Sequence, residues 1–160
     1  MSIAASEMIP DGQLTVMSAE GPTPVAASEL LGKGRVVLFA VPGAFTPTCS
    51  VSHLPGFVER SDQLAARGVD RIVCMAVNDI FVMDAWGKSA NVDDKVVMAA
   101  DGNGDYAQAL GLQMDASAFG MGTRSQRFAM VIQDGRVEQL LVEGPGEFRV
   151  SSAEYVLDQI

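Results

Sequence analysis

One stretch, residues 36–49, constrains the fold of this chain more than any other. It reads VVLFAVPGAFTPTC and begins with an apolar run, residues 36–41, that is rich in β-branched and aromatic side chains. A short apolar run that ends at a Pro-Gly break predicts a strand buried on both faces of a sheet. Thr46 and Pro47 follow, and these residue types are favoured at the N-cap and first positions of a helix. The stretch therefore predicts a buried strand, a turn and a helix in direct succession.

Cys49 falls in the first turn of that predicted helix. With Thr46 as N-cap, Cys49 is the third helical residue, among backbone N–H groups without helical partners and at the positive end of the helix dipole. Such a setting stabilises a thiolate and favours a reactive cysteine. The alternative is a buried small hydrophobe, which most free cysteines are. Open α/β sheets place their sites at the carboxyl ends of buried strands, and this position favours the reactive interpretation.

The rest of the chain alternates strands with helices. Further strands are predicted at residues 72–77, 96–100, 128–133 and 137–142. Helices are predicted at residues 57–67, 80–88, 105–110 and 153–160, with Asp79 and Ser151 at helix starts and Gly111 at a helix end. Residues 1–35 are predicted as a hairpin or extended segment along one edge, and residues 111–123 as a loop.

This alternation predicts the α/β class. Strands separated by helices form a parallel core with helices on both faces, and residues 134–136 carry the turn signal that adds an antiparallel hairpin. The expected architecture is a central mixed β-sheet flanked by helices, with residues 1–160 as a single domain. A reactive cysteine at the start of a helix on such a sheet is a thioredoxin-like arrangement.

Pro55 interrupts the helical pattern that follows Cys49. A proline inside a helix cannot donate to the carbonyl of residue 51 and crowds it, so a kink or break is predicted there. Cys49 would then lie on a short turn, partly decoupled from the helix at residues 57–67. The hypothesis is that this turn unwinds at low cost and moves the sulfur between a buried and an exposed position.

Composition limits the possible partners and the compartment. The net charge of −9 disfavours nucleic acid and anionic membrane surfaces. Two cysteines and one histidine are too few for a disulfide scaffold and offer no metal-ligand cluster. The first ten residues lack the basic segment of a signal peptide, and no apolar run approaches the ~20 residues of a membrane helix. These features predict a cytoplasmic protein without a metal site.

The residues around Cys49 suit an attack on a peroxide. No Cys-x-x-Cys is present, so dithiol exchange within one motif is not available, but a single thiolate can attack an electrophile and become a sulfenic acid. The hydroxyl of Thr46 can accept the peroxide proton or donate to the thiolate. A neighbouring cation would stabilise the charge that moves onto the leaving oxygen, and Pro42 would shield the sulfur from water.

Several longer segments carry a family resemblance. The stretch PGAFTPTCS is followed by HLPGF, VND, FVMDAWG and RSQRFAMV. With these segments the sequence resembles the type II (class-five) peroxiredoxins, over about residues 36–142. The resemblance implies a thioredoxin-like fold and a thiol-dependent peroxidase that reduces hydrogen peroxide and alkyl hydroperoxides without a bound cofactor.

The resemblance also implies a role for particular residues. Cys49 matches the peroxidatic cysteine, and Thr46 and Pro42 match the other members of its motif. Arg127 matches the active-site arginine, because that residue directly precedes the aromatic that starts a strand; Arg124 is the neighbour with which it can be confused. Members of the family form homodimers through the face that carries the active-site loops, which in this chain would include Phe45, Phe81 and Trp86.

Cys74 has two interpretations. It can be a resolving cysteine that forms a disulfide with oxidised Cys49, or an inert thiol in an apolar strand, and its sequence context, IVCMAV, favours the second. Some relatives carry a resolving cysteine near the C-terminal helix, and residues 148–151 contain none. This departure favours a cycle in which glutathione, glutaredoxin or thioredoxin resolves Cys49 directly.

Two functions of other classes remain open. His53 lies four residues after Cys49 on the same helical face, so a Cys-His hydrolase is possible, although no group that would orient the imidazole is evident. The other possible function is that of a redox sensor or holdase, which peroxide oxidises but which does not turn over peroxide. Phe119 and Met121 are apolar residues suited to the entrance of a site for alkyl hydroperoxides.

Overall fold

One mixed sheet organises the molecule. A computed structural model describes residues 2–160, and Met1, where the predicted domain begins, lies outside the described residues. Within residues 2–160, seven strands form the sheet in the order β2-β1-β5-β4-β3-β8-β9, and β6 and β7 form a separate pair. The strands are β1 Gln13–Ser18, β2 Gly21–Ala26, β3 Arg35–Ala40, β4 Arg71–Ala76, β5 Val97–Ala100, β6 Gln113–Asp115, β7 Thr123–Ser125, β8 Phe128–Gln133 and β9 Arg136–Val142.

Helices connect the strands in the predicted order. They are α1 Ala27–Leu30, a π-helical turn Cys49–His53, α2 Leu54–Glu59, α3 Ser61–Ala66, α4 Ile80–Ser89, α5 Asp105–Leu110, a 3₁₀ turn Ser117–Phe119 and α6 Ala153–Gln159. The central mixed sheet flanked by helices is thereby confirmed. The predicted edge hairpin is also confirmed, because β1 and β2 pair antiparallel and β1 lies beside β5.

Strand β3 is the centre of the sheet. It pairs parallel with β4 and antiparallel with β8, and all but its first residue are fully buried. Because side chains alternate between the faces of a strand, Val37 and Phe39 enter one core and Val36 and Leu38 the other. A continuous apolar run is what a strand covered on both faces requires.

Helices cover both faces. On the face of Phe39 lie α2, α3, α4 and α6, through the buried side chains Leu54, Phe57, Leu64, Met83, Trp86 and Val156. On the opposite face lie α1 and α5, through Leu30, Tyr106 and Leu110. The rings of Phe39 and Phe57 stack with centroids 4.1 Å apart, which fixes the helix after Cys49 on the end of β3.

The break predicted at Pro55, one of the two alternatives, is wrong. Helical turns continue from Pro47 to Glu59, and the widened π-helical turn, in which the N–H of Leu54 donates to the carbonyl of Cys49, leads directly into α2. Pro55 therefore lies at the start of α2, directly after a turn in which the hydrogen bonding has changed from the α to the π pattern. The break comes later, at Arg60, so the predicted helix over residues 57–67 is two short helices.

Two further predictions need correction. Residues 111–123 are not all loop, because β6 and the whole 3₁₀ turn lie within them and β6 pairs with β7. Ser152, not Ser151, caps α6, since its side chain accepts from the N–H of Tyr155. The turn of the last hairpin is as predicted, with Asp134 and Gly135 both at positive φ, but β9 already begins at Arg136.

Candidate active site

Thr46 links the turn after β3 to the thiol. Its carbonyl accepts from the N–H of Ser50, as expected at a helix start. Its hydroxyl does not cap the helix; Oγ1 lies 2.7 Å from the carbonyl of Gly43 and 2.8 Å from Cys49 Sγ. A hydroxyl has one hydrogen, so when it donates to Gly43 its lone pairs face the sulfur, and when it donates to a thiolate it releases Gly43.

Cys49 Sγ lies between two donors. The residue is fully buried and belongs to the core on the Phe39 face. Besides the Thr46 hydroxyl, Nη2 of Arg127 donates to Sγ at 3.0 Å. A charged donor at hydrogen-bond distance stabilises a thiolate over a thiol. The environment of Cys49 is therefore polar and positive at the sulfur although the residue is buried.

Sheet register brings Arg127 to this position. Phe128 pairs with Ala40, so the residue before β8 lies beside the end of β3, where the chain turns into Pro42 and the active-site loop. Arg124 has different partners: its Nε donates to the carbonyl of Met121 at 2.9 Å and Nη1 to that of Val77 at 3.1 Å. Of the two arginines considered from the sequence, Arg127 is the one in contact with Cys49.

His53 contacts Arg127 and not Cys49. Nη1 of Arg127 lies 2.9 Å from Nδ1, and Nε2 lies 2.8 Å from the carbonyl of Ser151. Burial, reinforced by the charge of Arg127, lowers the pKa of His53 from 6.5 to about 3, so the ring is neutral. Because a carbonyl can only accept, Nε2 carries the hydrogen and Nδ1 accepts from Arg127. Both nitrogens are thus engaged, and the Cys-His dyad of a hydrolase is not formed.

An apolar cavity of about 470 Å³ opens beside this group. Pro42, Thr48 and Arg127 line it, as do Phe119 and Met121, the two residues that the sequence suggested for an apolar entrance. Of these residues, Thr48 directly precedes Cys49 and Arg127 contacts its Sγ, so the cavity borders the surroundings of the thiol. It can hold the organic part of a substrate whose reactive end meets Cys49.

Cys74 is a buried core thiol. It lies on β4, is fully buried and free, and belongs to the same core as Cys49. Burial, with a smaller effect of Cys49, raises the pKa of Cys74 well above its ordinary value. A thiol kept protonated is a weak nucleophile, which agrees with the inert interpretation.

The face proposed for dimers differs from the expectation in one residue. Phe45 and Phe81 are more than half exposed, but Trp86 is buried, with its Nε1 donating to Ser50 Oγ at 3.0 Å. The expectation that Trp86 belongs to an interface surface is therefore wrong. Trp86 instead ties α4 to the turn that carries Cys49.

The segment after β9, residues 143–151, is a part of the site that the sequence analysis does not predict. Phe148 lies there, with its ring centroid 5.0 Å from that of His53 and 5.8 Å from the guanidinium carbon of Arg127. Glu143 is buried next to it. A glutamate directly after an apolar strand and before Gly144-Pro145-Gly146 was the available signal.

Residues 2–160 offer neither a candidate metal centre nor a membrane-spanning helix. No group of three or more His, Cys, Asp or Glu side chains in this range could hold a metal ion. Within the same residues, every helix is too short or too polar to cross a membrane.

Comparisons with known proteins agree on one family. The redoxin family model matches residues 4–157. Peroxiredoxin-2B of Arabidopsis thaliana is 46% identical over 156 residues, covering 97% of this chain and 96% of the relative. Reduced Prx3 of Vibrio vulnificus, solved in complex with hydrogen peroxide, is 49% identical with a TM-score of 0.93 and 98% of both chains covered. Peroxiredoxin 5 of Alvinella pompejana is 31% identical, with a TM-score of 0.84 and coverage of 97% and 96%.

Proposed function

We infer the chemistry of this site from the fact that the chain belongs to the redoxin family and, within it, to the type II peroxiredoxins, which are thiol-dependent peroxidases. We propose that Cys49 is the peroxidatic cysteine. Thr46 and Arg127 hold the peroxide and stabilise the transition state, and Pro42 shields the sulfur from bulk water. The observation that carries this assignment is the double contact of Sγ, with Thr46 Oγ1 at 2.8 Å and Arg127 Nη2 at 3.0 Å.

The first step is an attack of the Cys49 thiolate on the terminal oxygen of the peroxide. A bond from sulfur to oxygen forms as the O–O bond breaks, so the thiol is oxidised to sulfenic acid and the peroxide is reduced. The leaving oxygen takes a proton from solvent and departs as water, or as an alcohol from an alkyl hydroperoxide. Arg127 stabilises the negative charge as it moves from sulfur to the leaving oxygen. The lone pairs of Thr46 Oγ1 accept the hydrogen of the bound peroxide and so orient it.

An external thiol closes the cycle. One thiol condenses with the sulfenic acid to give a mixed disulfide and water, and a second thiol releases Cys49 as a disulfide forms between the two reductant sulfurs. Glutathione, glutaredoxin and thioredoxin are the candidate reductants. The burial and raised pKa of Cys74 support an external partner, because the second cysteine of the chain is a poor internal nucleophile. Such a cycle requires a reducing thiol pool, and we propose a cytoplasmic location.

The test is peroxide consumption with each of the three reductants in parallel. We expect Cys49→Ser to abolish turnover and Cys74→Ser to retain most of it. Intact mass after one equivalent of peroxide should show one added oxygen on the wild type and on Cys74→Ser. A fully active Cys49→Ser protein would falsify the assignment.

The same assay separates an enzyme from a sensor. A redox sensor or holdase would gain the oxygen at Cys49 but would not consume further peroxide in the presence of any of the three reductants. Steady-state consumption with at least one of them supports the peroxidase. Comparison of hydrogen peroxide with a bulky alkyl hydroperoxide tests whether the cavity beside Arg127 accepts an organic group.

A further inference from the structure

We propose that Glu143 is a positioning residue for the peroxidatic site, which folds the segment 143–151 so that Ser151 holds His53 and His53 holds Arg127 against Cys49. This inference rests on the proposed function of Cys49 and Arg127. The hydrogen bonds of the Glu143 carboxylate in the described part of the chain go to residues 149–151, and none of them goes to Cys49, Arg127 or His53.

The carboxylate of Glu143 is the centre around which the segment folds. Both oxygens accept from the N–H of Arg149 at 2.8 Å. Oε2 also accepts from the N–H of Val150 and of Ser151, each at 2.8 Å, and from the Ser151 hydroxyl at 2.7 Å. Consecutive backbone N–H groups that converge on one carboxylate form an anion-binding nest. The side chain is 8% exposed, and it forms no ion pair within residues 2–160.

Glu143 is ionised in this setting. Burial alone would raise its pKa, but the hydrogen bonds from the Ser151 hydroxyl and from the three backbone N–H groups outweigh burial, and the pKa is lowered. A buried carboxylate that gains its stability from N–H donors fixes the path of the chain that supplies them. The segment is otherwise rich in residues that favour flexibility, with Gly144 and Gly146 beside Pro145.

Ser151 passes this constraint to the active site. Its N–H and hydroxyl point to Glu143, while its carbonyl accepts from His53 Nε2 at 2.8 Å. That acceptor holds the hydrogen on Nε2 and leaves Nδ1 free to accept from Arg127 Nη1 at 2.9 Å. The other guanidinium nitrogen, Nη2, lies 3.0 Å from Cys49 Sγ.

If the Ser151 carbonyl were displaced, His53 Nε2 would lose the acceptor that keeps the hydrogen on this nitrogen. If the hydrogen moved to Nδ1, an N–H would face the N–H of Arg127, and two donors repel each other. The guanidinium would then rotate away from the sulfur. Phe148 would add to the effect, because it lies in the same segment and packs its ring near both His53 and Arg127. Glu143 thus acts on the sulfur through four successive contacts, by way of Ser151, His53 and Arg127.

The experiment compares Glu143→Gln with Glu143→Asp and with the control Glu138→Gln. The amide of Glu143→Gln removes the charge and brings its own N–H groups among donors, whereas Glu143→Asp keeps a carboxylate. Glu138 lies on β9, is well exposed and pairs with Arg35 on the surface. We expect Glu143→Gln to lower kcat/KM for hydrogen peroxide about tenfold or more, since misplacing a positioned group by about 1 Å can cost about a hundredfold. Glu138→Gln should match the wild type, and Glu143→Asp should recover part of the loss.

Two further readouts separate positioning from general damage. The rate of Cys49 alkylation by iodoacetamide at pH 7 should fall in Glu143→Gln, because the sulfur loses its charged donor. Nitrogen-15 NMR should show the Nε2–H tautomer of His53, the single histidine of the chain, in the wild type, and a mixture in Glu143→Gln.

Three results would overturn the proposal. They are an Nδ1–H tautomer in the wild type, a folded Glu143→Gln protein with wild-type kinetics, and a slow Glu143→Gln protein with an unchanged tautomer and alkylation rate. The wild-type tautomer needs no variant, so poor folding of Glu143→Gln does not remove the test. Absence of peroxidase activity in the wild type would count against the function of Cys49, while the tautomer would still report on the contact chain.

Discussion

At the scale of single residues, His53 must remain neutral for Arg127 to face Cys49. Its Nδ1 accepts from Arg127 Nη1, and a protonated ring would have no acceptor there. The ring is fully buried and packs at a tilt against Phe39 and Phe57, with centroids 4.8 and 5.7 Å away. Burial therefore maintains the donor and acceptor pattern of the site over the whole physiological pH range.

The neutral His53 should make the protein less stable in mild acid. The pKa of His53 is about 3 in the folded chain against 6.5 for an ordinary histidine, so between these values the unfolded chain binds a proton that the folded chain does not. Stability is complete above pH 6.5 and falls as the pH drops. We expect the free energy of unfolding in urea to be about 2 kcal/mol lower at pH 5 than at pH 7 from this residue.

The control for this prediction is His53→Gln, which removes the single histidine of the chain. This variant should be less stable at pH 7 but should lack the histidine contribution between pH 5 and pH 7. Burial raises the pKa of Asp101, so this residue makes the folded protein more stable as the pH falls, which is opposite to the effect of His53. Asp101 is present in both proteins, and its contribution cancels when the two pH dependences are subtracted. Equal slopes in the two proteins would contradict the assignment of a depressed pKa to His53.

At the scale of elements, the π-helical turn Cys49–His53 joins the thiol to helix α4. Ser50 follows Cys49, and its hydroxyl accepts from Trp86 Nε1 at 3.0 Å. Cys49 is fully buried, so an oxygen added to Sγ must displace its neighbours in a closely packed interior. The hypothesis that this turn unwinds locally concerns the same residues, and it predicts faster amide exchange over residues 50–54 than after Gly56.

Oxidation should therefore change the emission of Trp86, the single tryptophan of the chain. We expect one equivalent of hydrogen peroxide to shift the fluorescence of the wild type and of Cys74→Ser in stopped-flow mixing, because the Ser50 contact moves with Cys49. Cys49→Ser should show no shift, and Ser50→Ala should reduce it. Unchanged emission in a sample that mass spectrometry shows to be oxidised would exclude this coupling.

At the scale of the whole molecule, large apolar side chains are exposed on the active-site loop, on the π-helical turn that carries Cys49 and on helix α4. Phe45 is 55% exposed, Val51 75% and Phe81 66%, while the ring of Phe45 packs 6.4 Å from that of buried Trp86. Exposed apolar residues that group near one helix are typical of an interaction surface. We propose that this surface forms a homodimer.

Phe81→Glu should weaken the proposed dimer. A charge placed in an apolar interface loses hydration without a partner, and we expect the variant to be mainly monomeric at micromolar concentration. Light scattering after size-exclusion chromatography gives the mass directly. Phe119→Glu is the matched control, because Phe119 is 82% exposed but lines the cavity beside Arg127 and lies outside helix α4. An equal effect of both substitutions would contradict a specific interface at Phe81.

The parts of this structure that depend on neighbouring residues can be predicted from the sequence, and the parts that depend on distant contacts cannot. The strand at residue 36 and the helix start at Thr46 follow from short apolar and capping patterns, and each lies within a residue of its predicted place. Pro55 misled because the π-helical turn shifts it into the first turn of α2. The role of Ser151 depends on a contact with a residue 98 positions away, which no local pattern encodes. The family resemblance places Trp86 at the dimer face, but whether its side chain is buried depends on the packing of α4 against the core, which the resemblance does not give.

The antiparallel pairing of β3 with β8 has a consequence for biosynthesis. The cation that faces the thiol comes 78 residues after Cys49, and it reaches the sulfur only when β8 has paired in register beside β3. A chain still emerging from the ribosome therefore carries an ordinary cysteine at position 49, without its charged donor. On the proposed role of Cys49, full reactivity towards peroxide would arise only with the last strands of the sheet, and the growing polypeptide would be spared oxidation at this residue.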